Sequence, residues 1–159
     1  MKIEYYHDSK WGHGVTVAEE FKKQISAKGA SVDIHQVKHS KADKLPVADL
    51  FIFSSPGRWG GPTWRVTRFL KKLKLPKGTK YAVFTTEGAA KPDKKTGKLP
   101  TEEEQAKWHK IIPKMNKILE GKGLVKVAEG KVLVHEMKGP IEEGWQKKVE
   151  AFVAAIPLA

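Results

Sequence analysis

The sequence predicts an α/β domain in which a mostly parallel sheet is covered by helices on both faces. Three observations carry this. Strand and helix signals alternate along 159 residues with no internal repeat and no linker, so a single domain spanning 1–159 is expected. Two apolar runs, Asp49–Ser54 (DLFIFS) and Tyr81–Thr85 (YAVFT), are continuous rather than alternating, as strands buried on both faces require. Glycine-containing turns lead from strand signals into helix patterns, above all at His7–Gly14 (HDSKWGHG).

The elements follow in order. Ile3–Tyr6 is a short strand, and Val15–Ala27 reads as an amphipathic helix that Gly29 stops. Val32–His35 alternates apolar and polar residues like an edge strand, and no helix pattern is legible between it and the strand at Asp49–Ser54. A helix is expected from Pro62 to Leu73, with proline in the first turn and Val66, Phe69, Leu70 and Leu73 on one face. After YAVFT, a polar loop (Lys91–Pro100) precedes a helix that opens on Thr101-Glu102-Glu103-Glu104, which has capping-box spacing. Trp108, Ile111, Ile112, Met115, Ile118 and Leu119 would line its buried face, and Pro113 should kink or split it near His109. Gly121 and Gly123 end it. Lys131–Met137 (KVLVHEM) is the expected last strand, and Trp145, Val149, Phe152, Val153 and Ile156 mark a closing helix.

Composition narrows the function. The chain has no cysteine, which excludes disulfides, thiolate nucleophiles and cysteine-held zinc or iron–sulfur clusters. It shows no basic stretch followed by an apolar run at its start and no apolar run of membrane length, so a cytoplasmic protein is expected. The formal charge of +12 points to an acidic partner, a phosphorylated ligand or nucleic acid.

Three turns gather the candidate chemistry. Ser9, Lys10, Trp11, Gly12, His13 and Gly14 stand between a strand and a helix N-terminus, where free backbone N–H groups and the helix dipole favour an anion such as phosphate. Ser9 and Thr16 offer hydroxyl donors there, and Lys10 or His13 offers charge. The other reading is an ordinary turn that uses glycine for its backbone angles alone. The second group is Ser54, Ser55, Pro56, Gly57, Arg58, Trp59, Gly60 and Gly61, and the third is Thr85, Thr86, Glu87 and Gly88. Both are expected as loops beyond the carboxyl ends of central strands, where α/β sheets bind ligands. A phosphate-gathering turn, an aromatic on a glycine-rich loop and a small polar loop suit a ligand with a phosphate tail and a flat ring.

This layout resembles flavodoxin over essentially the whole chain. Tyr6–His13 is similar to the family's phosphate loop, Ser/Thr-x-Thr/Tyr-Gly-Asn-Thr. Ser9 takes the first hydroxyl position, Trp11 the aromatic variant of the second, and Gly12 the glycine. His13 stands where the family has Asn, and Gly14 where it has the last Thr, so one hydroxyl donor is missing. The resemblance implies a three-layer flavodoxin-like fold with five parallel strands in the order 2-1-3-4-5, and non-covalent FMN. It also implies that Ser54–Gly61 flanks the isoalloxazine ring with Trp59 stacking on it, that Trp11 is a second aromatic near the ring, and that Thr85–Gly88 offers donors to the ring's pyrimidine edge. Trp64, Trp108 and Trp145 are expected to be packing residues.

Other chemistry finds little support. Asp8 and Lys138 sit where response-regulator receiver domains have such residues, but the third strand ends on Ser54-Ser55 instead of a phosphoacceptor Asp. His35 and His39 are four apart without a third metal ligand, no serine stands in a nucleophile elbow, and no catalytic residue or metal site is expected. Positive charge is concentrated. Arg65, Arg68, Lys71, Lys72, Lys74, Lys77 and Lys80 are uninterrupted by acid, and Lys91, Lys94, Lys95 and Lys98 outweigh Asp93. Such a surface is either a solvated helix face or a docking surface for an acidic redox partner, with nucleic acid less favoured because no recognition motif accompanies it. The expectation is an FMN-binding electron carrier. The alternatives are a small flavin-dependent NAD(P)H:quinone-type oxidoreductase, disfavoured by the short chain, and a flavin-free interaction module. Basic side chains near the ring (Lys91, Lys94, Lys95, Arg58), opposed by Glu87, would favour the reduced flavin.

Overall fold

In the computed structural model, residues 1–9, 11–58, 60–135 and 139–158 are described, with Arg58 described by its backbone alone. The sheet contains β1 (Lys2–His7), β2 (Ser31–Gln36), β3 (Leu50–Arg58), β4 (Gly61–Pro62), β5 (Lys80–Gly88) and β6 (Val125–Val134). The helices are α1 (His13–Ser26), α2 (Trp64–Lys71), α3 (Glu102–Ala106), α4 (Ile111–Gly121) and α5 (Trp145–Ala155).

The main strands lie in the order β2-β1-β3-β5-β6, all parallel, and β4 pairs antiparallel with the end of β3. Leaving out the two-residue β4, this is the expected 2-1-3-4-5 arrangement, with the sheet covered on both faces. The sequence pattern explains it. In β1, β3 and β5 alternate residues feed two separate apolar clusters. Tyr5, Ile52 and Phe84 pack with Phe21 of α1 and Phe152 and Val153 of α5. Tyr6, Phe53 and Val83 pack on the other side with Phe69 and Leu70 of α2 and Met115 and Leu119 of α4. Among the described residues no helix is long and apolar enough to cross a membrane.

Four expectations change. β3 and β5 run on through the segments expected as loops, because polar residues at the strand ends still complete the ladder: Ser55 and Pro56 pair with Thr85 and Thr86, and Glu87 pairs with Leu133. The glycine-rich stretch is a short hairpin, with Gly57 opposite Pro62, so Pro62 lies in an edge strand. α2 begins only after Thr63, whose hydroxyl accepts from the Val66 N–H as an N-cap. β6 starts at Val125, six residues earlier than the polar, half-exposed pattern of an edge strand suggested, and Glu136, Met137 and Lys138 lie outside the described residues. The β2–β3 connection has one turn of 3-10 helix, Val37–His39, and otherwise no helix.

The expected break near His109 is present. α3 ends at Ala106, α4 starts at Ile111, and Pro113 falls in the first turn of α4, where its missing N–H costs no hydrogen bond. The break resets the helical phase, so Trp108 is 54% exposed instead of buried. Trp64, at the first position of α2, is 72% exposed, whereas Trp145 packs against the core as expected.

Candidate functional site

The carboxyl ends of β1 and β3 meet where the strand order reverses, and His7 lies opposite Ser54 there. Gly12 turns the chain into α1 with φ 87°, the left-handed region that favours glycine. Its N–H donates to Ser9 Oγ at 3.1 Å. The first turn of α1 holds no acidic residue, and helix geometry leaves the Gly14 and Val15 N–H groups without helical carbonyl partners. Gly14 is explained by contact. A Cβ there would lie 3.1 Å from Ser9 Cβ, so a side chain at this position would press on Ser9. Thr16 cannot replace the missing donor, because its single hydroxyl proton goes to the Gly12 carbonyl at 3.0 Å.

Asp8 ties this turn to the far side of the sheet. Thr63 Oγ1 donates to Asp8 Oδ2 at 2.7 Å, and Arg65 donates to Oδ1 at 3.1 Å. One carboxylate thus links the β1–α1 turn to the start of α2, and its charge is neutralised away from the α1 N-terminus. His7, just before it, is buried. Desolvation lowers its pKa from the usual 6.5, opposed by Asp8 and Glu19, so the ring is held neutral. Its Nδ1 has no hydrogen-bond partner among the described residues.

The second group is more rigid than a loop. Ser54 and Ser55 are buried, and Ser55 Oγ donates to the Pro56 carbonyl while accepting from the Thr63 N–H at 3.0 Å. A Cβ on Gly57 would lie 2.6 Å from Ile111 Cδ1, so glycine lets α4 close on the hairpin. Gly60, with φ 74°, lies against the Trp108 carbonyl, which brings the α3–α4 break over this hairpin. Lys10, Trp59 and the Arg58 side chain lie outside the described residues, so the expected stacking ring is among them.

In the third group Thr85, Thr86 and Glu87 are buried and Gly88 is exposed. Thr85 donates to Glu87 Oε2 at 2.8 Å, and Lys131 Nζ stands 3.9 Å from the same oxygen. His109 Nε2 lies 3.1 Å from the Gly88 carbonyl, to which it donates, and its Nδ1 is 3.9 Å from Glu87 Oε1. Thr85 and Glu87 thus belong to a buried polar cluster closed by a histidine from the helix break. Sequence reading missed His109, Lys131 and Thr63. Only Pro113, which marks where the helix must restart, pointed at the first. Lys91, Lys94 and Lys95 are exposed on the segment after β5, and His35 pairs with Glu4 rather than with His39.

No family model and no curated protein matches the chain. Solved structures do. Flavodoxin 2 from Bacillus cereus superposes with a TM-score of 0.74 at 19% identity, over 98% of this chain and 97% of that one. The fold is that of the flavodoxins. A flavodoxin from the domain Archaea gives 0.71 at 14% identity, over 96% of this chain and 94% of its own. Rubredoxin oxygen:oxidoreductase from Desulfovibrio gigas gives 0.70 at 17% identity, and this chain spans 35% of that protein. The β1–α1 turn, the β3–β4 hairpin and the end of β5 lie together on the side of the sheet where the parallel strands end.

Proposed function

We propose that the chain binds FMN non-covalently at the carboxyl ends of β1, β3 and β5 and carries electrons between proteins. The observation that carries this reading is the switch-point turn. A left-handed glycine opens α1, its first turn is free of acid, and Asp8 is already hydrogen-bonded by Thr63 and ion-paired with Arg65. The residues fit a phosphate. The N–H groups of the α1 first turn and the Ser9 O–H would donate to it, and Gly14 keeps that approach open. FMN, when bound, supplies one- and two-electron chemistry at its ring. The hairpin Ser54–Gly60 and the strand end Thr85–Gly88 would flank the ring, with Trp59 and Trp11 the aromatic candidates for stacking.

The chain's own groups do the rest. Ser55 and Gly57 hold the hairpin against α2 and α4, so the ring site is built on strands rather than on loops. His7 beneath the turn stays uncharged, so the charge there comes from the helix N–H groups rather than from an imidazolium. A basic surface around the site suits an acidic redox partner. Titration of the flavin-free chain with FMN and with riboflavin tests the assignment. FMN is expected to bind at least about a hundredfold more tightly, because charge-assisted hydrogen bonds to phosphate contribute roughly 1.5–3 kcal/mol each. Equal dissociation constants would remove the phosphate role from the turn.

A further inference from the structure

The exposed side of α2 is a stripe of one kind. Trp64, Arg65, Arg68, Lys71 and Lys72 are all exposed and fall within an arc of about 120° on a helix of 3.6 residues per turn. Val66, Phe69, Leu70 and Leu73 fill the opposite, buried side. No acidic residue occurs on the stripe. Lys114 from the neighbouring α4 lies across Gly61, three residues before α2 begins. Trp64, 72% exposed, carries the Arg68 guanidinium over its ring at 5.3 Å.

We propose that this stripe is the docking surface for an acidic protein partner, with Trp64 as its anchor; the inference rests on the redox reading above and names where the partner sits. Charge complementarity sets the partner's chemistry: carboxylates for Arg68 and the lysines, Arg65 being paired with Asp8, and an apolar contact for the indole. Two features favour a folded acidic protein over a polyphosphate chain. Tryptophan and arginine together are the composition of interface anchors, and Arg68 already covers one face of the indole on which a base would stack. The stripe also borders the proposed flavin site. Trp64 follows Thr63, and Thr63 and Arg65 both hold Asp8 of the phosphate turn. A protein seated on α2 therefore lies beside the redox centre, as electron transfer requires.

The test titrates the purified chain with poly-L-glutamate and, separately, with a single-stranded oligothymidylate, with and without added FMN, following backbone amides by NMR. Poly-L-glutamate is expected to shift amides of residues 64–72 and Lys114. The change Arg68→Gln with Lys71→Gln and Lys72→Gln should weaken its binding about tenfold. Removing the same charge from the other layer, by Lys22→Gln with Lys23→Gln and Lys28→Gln, should weaken it less than about twofold. Trp64→Ala should weaken it further at high salt, where cations alone are screened. Equal loss in the two triple variants would overturn the proposal in favour of diffuse attraction to net charge. Tighter binding of oligothymidylate, lost in Trp64→Ala, would overturn it in favour of a nucleic-acid surface. If FMN fails to bind while the poly-L-glutamate results hold, the redox reading falls and the docking surface stands.

Discussion

The two helical layers of this protein do the same work inside and different work outside. α1 and α5 bury Val17, Phe21, Ile25, Val149, Phe152 and Val153, and α2 and α4 bury Val66, Phe69, Leu70, Ile111, Met115 and Leu119. Both inner faces are apolar because both cover the same doubly buried strands. The outer faces diverge. On α1, Glu19 and Glu20 balance Lys22 and Lys23, and near α5 Lys148 pairs with Glu142 at 2.7 Å. On α2, among the described residues, the cations stand unopposed apart from Arg65, which pairs with Asp8. Folding constrains the inner faces equally and leaves the outer faces free, so a one-sided outer face is where a functional demand becomes visible.

The largest effects should show the inner faces to be equivalent. Phe152→Ala and Leu70→Ala, one from each layer, should each lower stability by about 3–5 kcal/mol, as cavities in packed cores do. Urea denaturation measures both, and a layer that tolerated its truncation would break the symmetry. Next comes the link across the sheet. Asp8→Ala removes hydrogen bonds from Thr63 and Arg65 to a charged group, at a cost of roughly 1.5–3 kcal/mol. The Arg65 share is small because that side chain is half exposed to solvent. Weaker FMN binding by the same variant would show that the α2 layer positions the phosphate turn.

A smaller effect comes from pH. His7 has a folded-state pKa below its usual 6.5, through desolvation. The unfolded chain therefore binds its proton first, so this contribution to stability is intact above about pH 6.5 and is lost as pH falls towards the folded-state pKa. His7→Phe should flatten that part of the stability–pH curve, measured by denaturation at several pH values. The smallest effect sharpens the contrast between outer faces. Lys71→Gln with Lys72→Gln should leave stability within about 0.5 kcal/mol, as surface changes usually do. A larger loss would mean that the stripe serves the fold and not a partner.

Much of this protein was legible in its chain. The continuous runs LFIF and YAVF mark strands buried on both faces, and their local composition suffices to say so. Pro113 announced the helix break, because a missing N–H is tolerated only in a first turn. The resemblance at Ser9–Gly14 carried the strand order with it. Other features depended on partners far away in sequence. Ser55–Arg58 and Thr85–Gly88 look like loops residue by residue, and become strand only because neighbouring strands complete their ladders. Trp108 looked buried while the helix phase was carried through from Glu102, and the break turned it outward. The link from Asp8 to Thr63 and Arg65 joins residues more than fifty positions apart. Periodicity and turn chemistry are local and can be read along a chain. Which polar groups meet across the sheet edge is decided only when the strands are laid side by side.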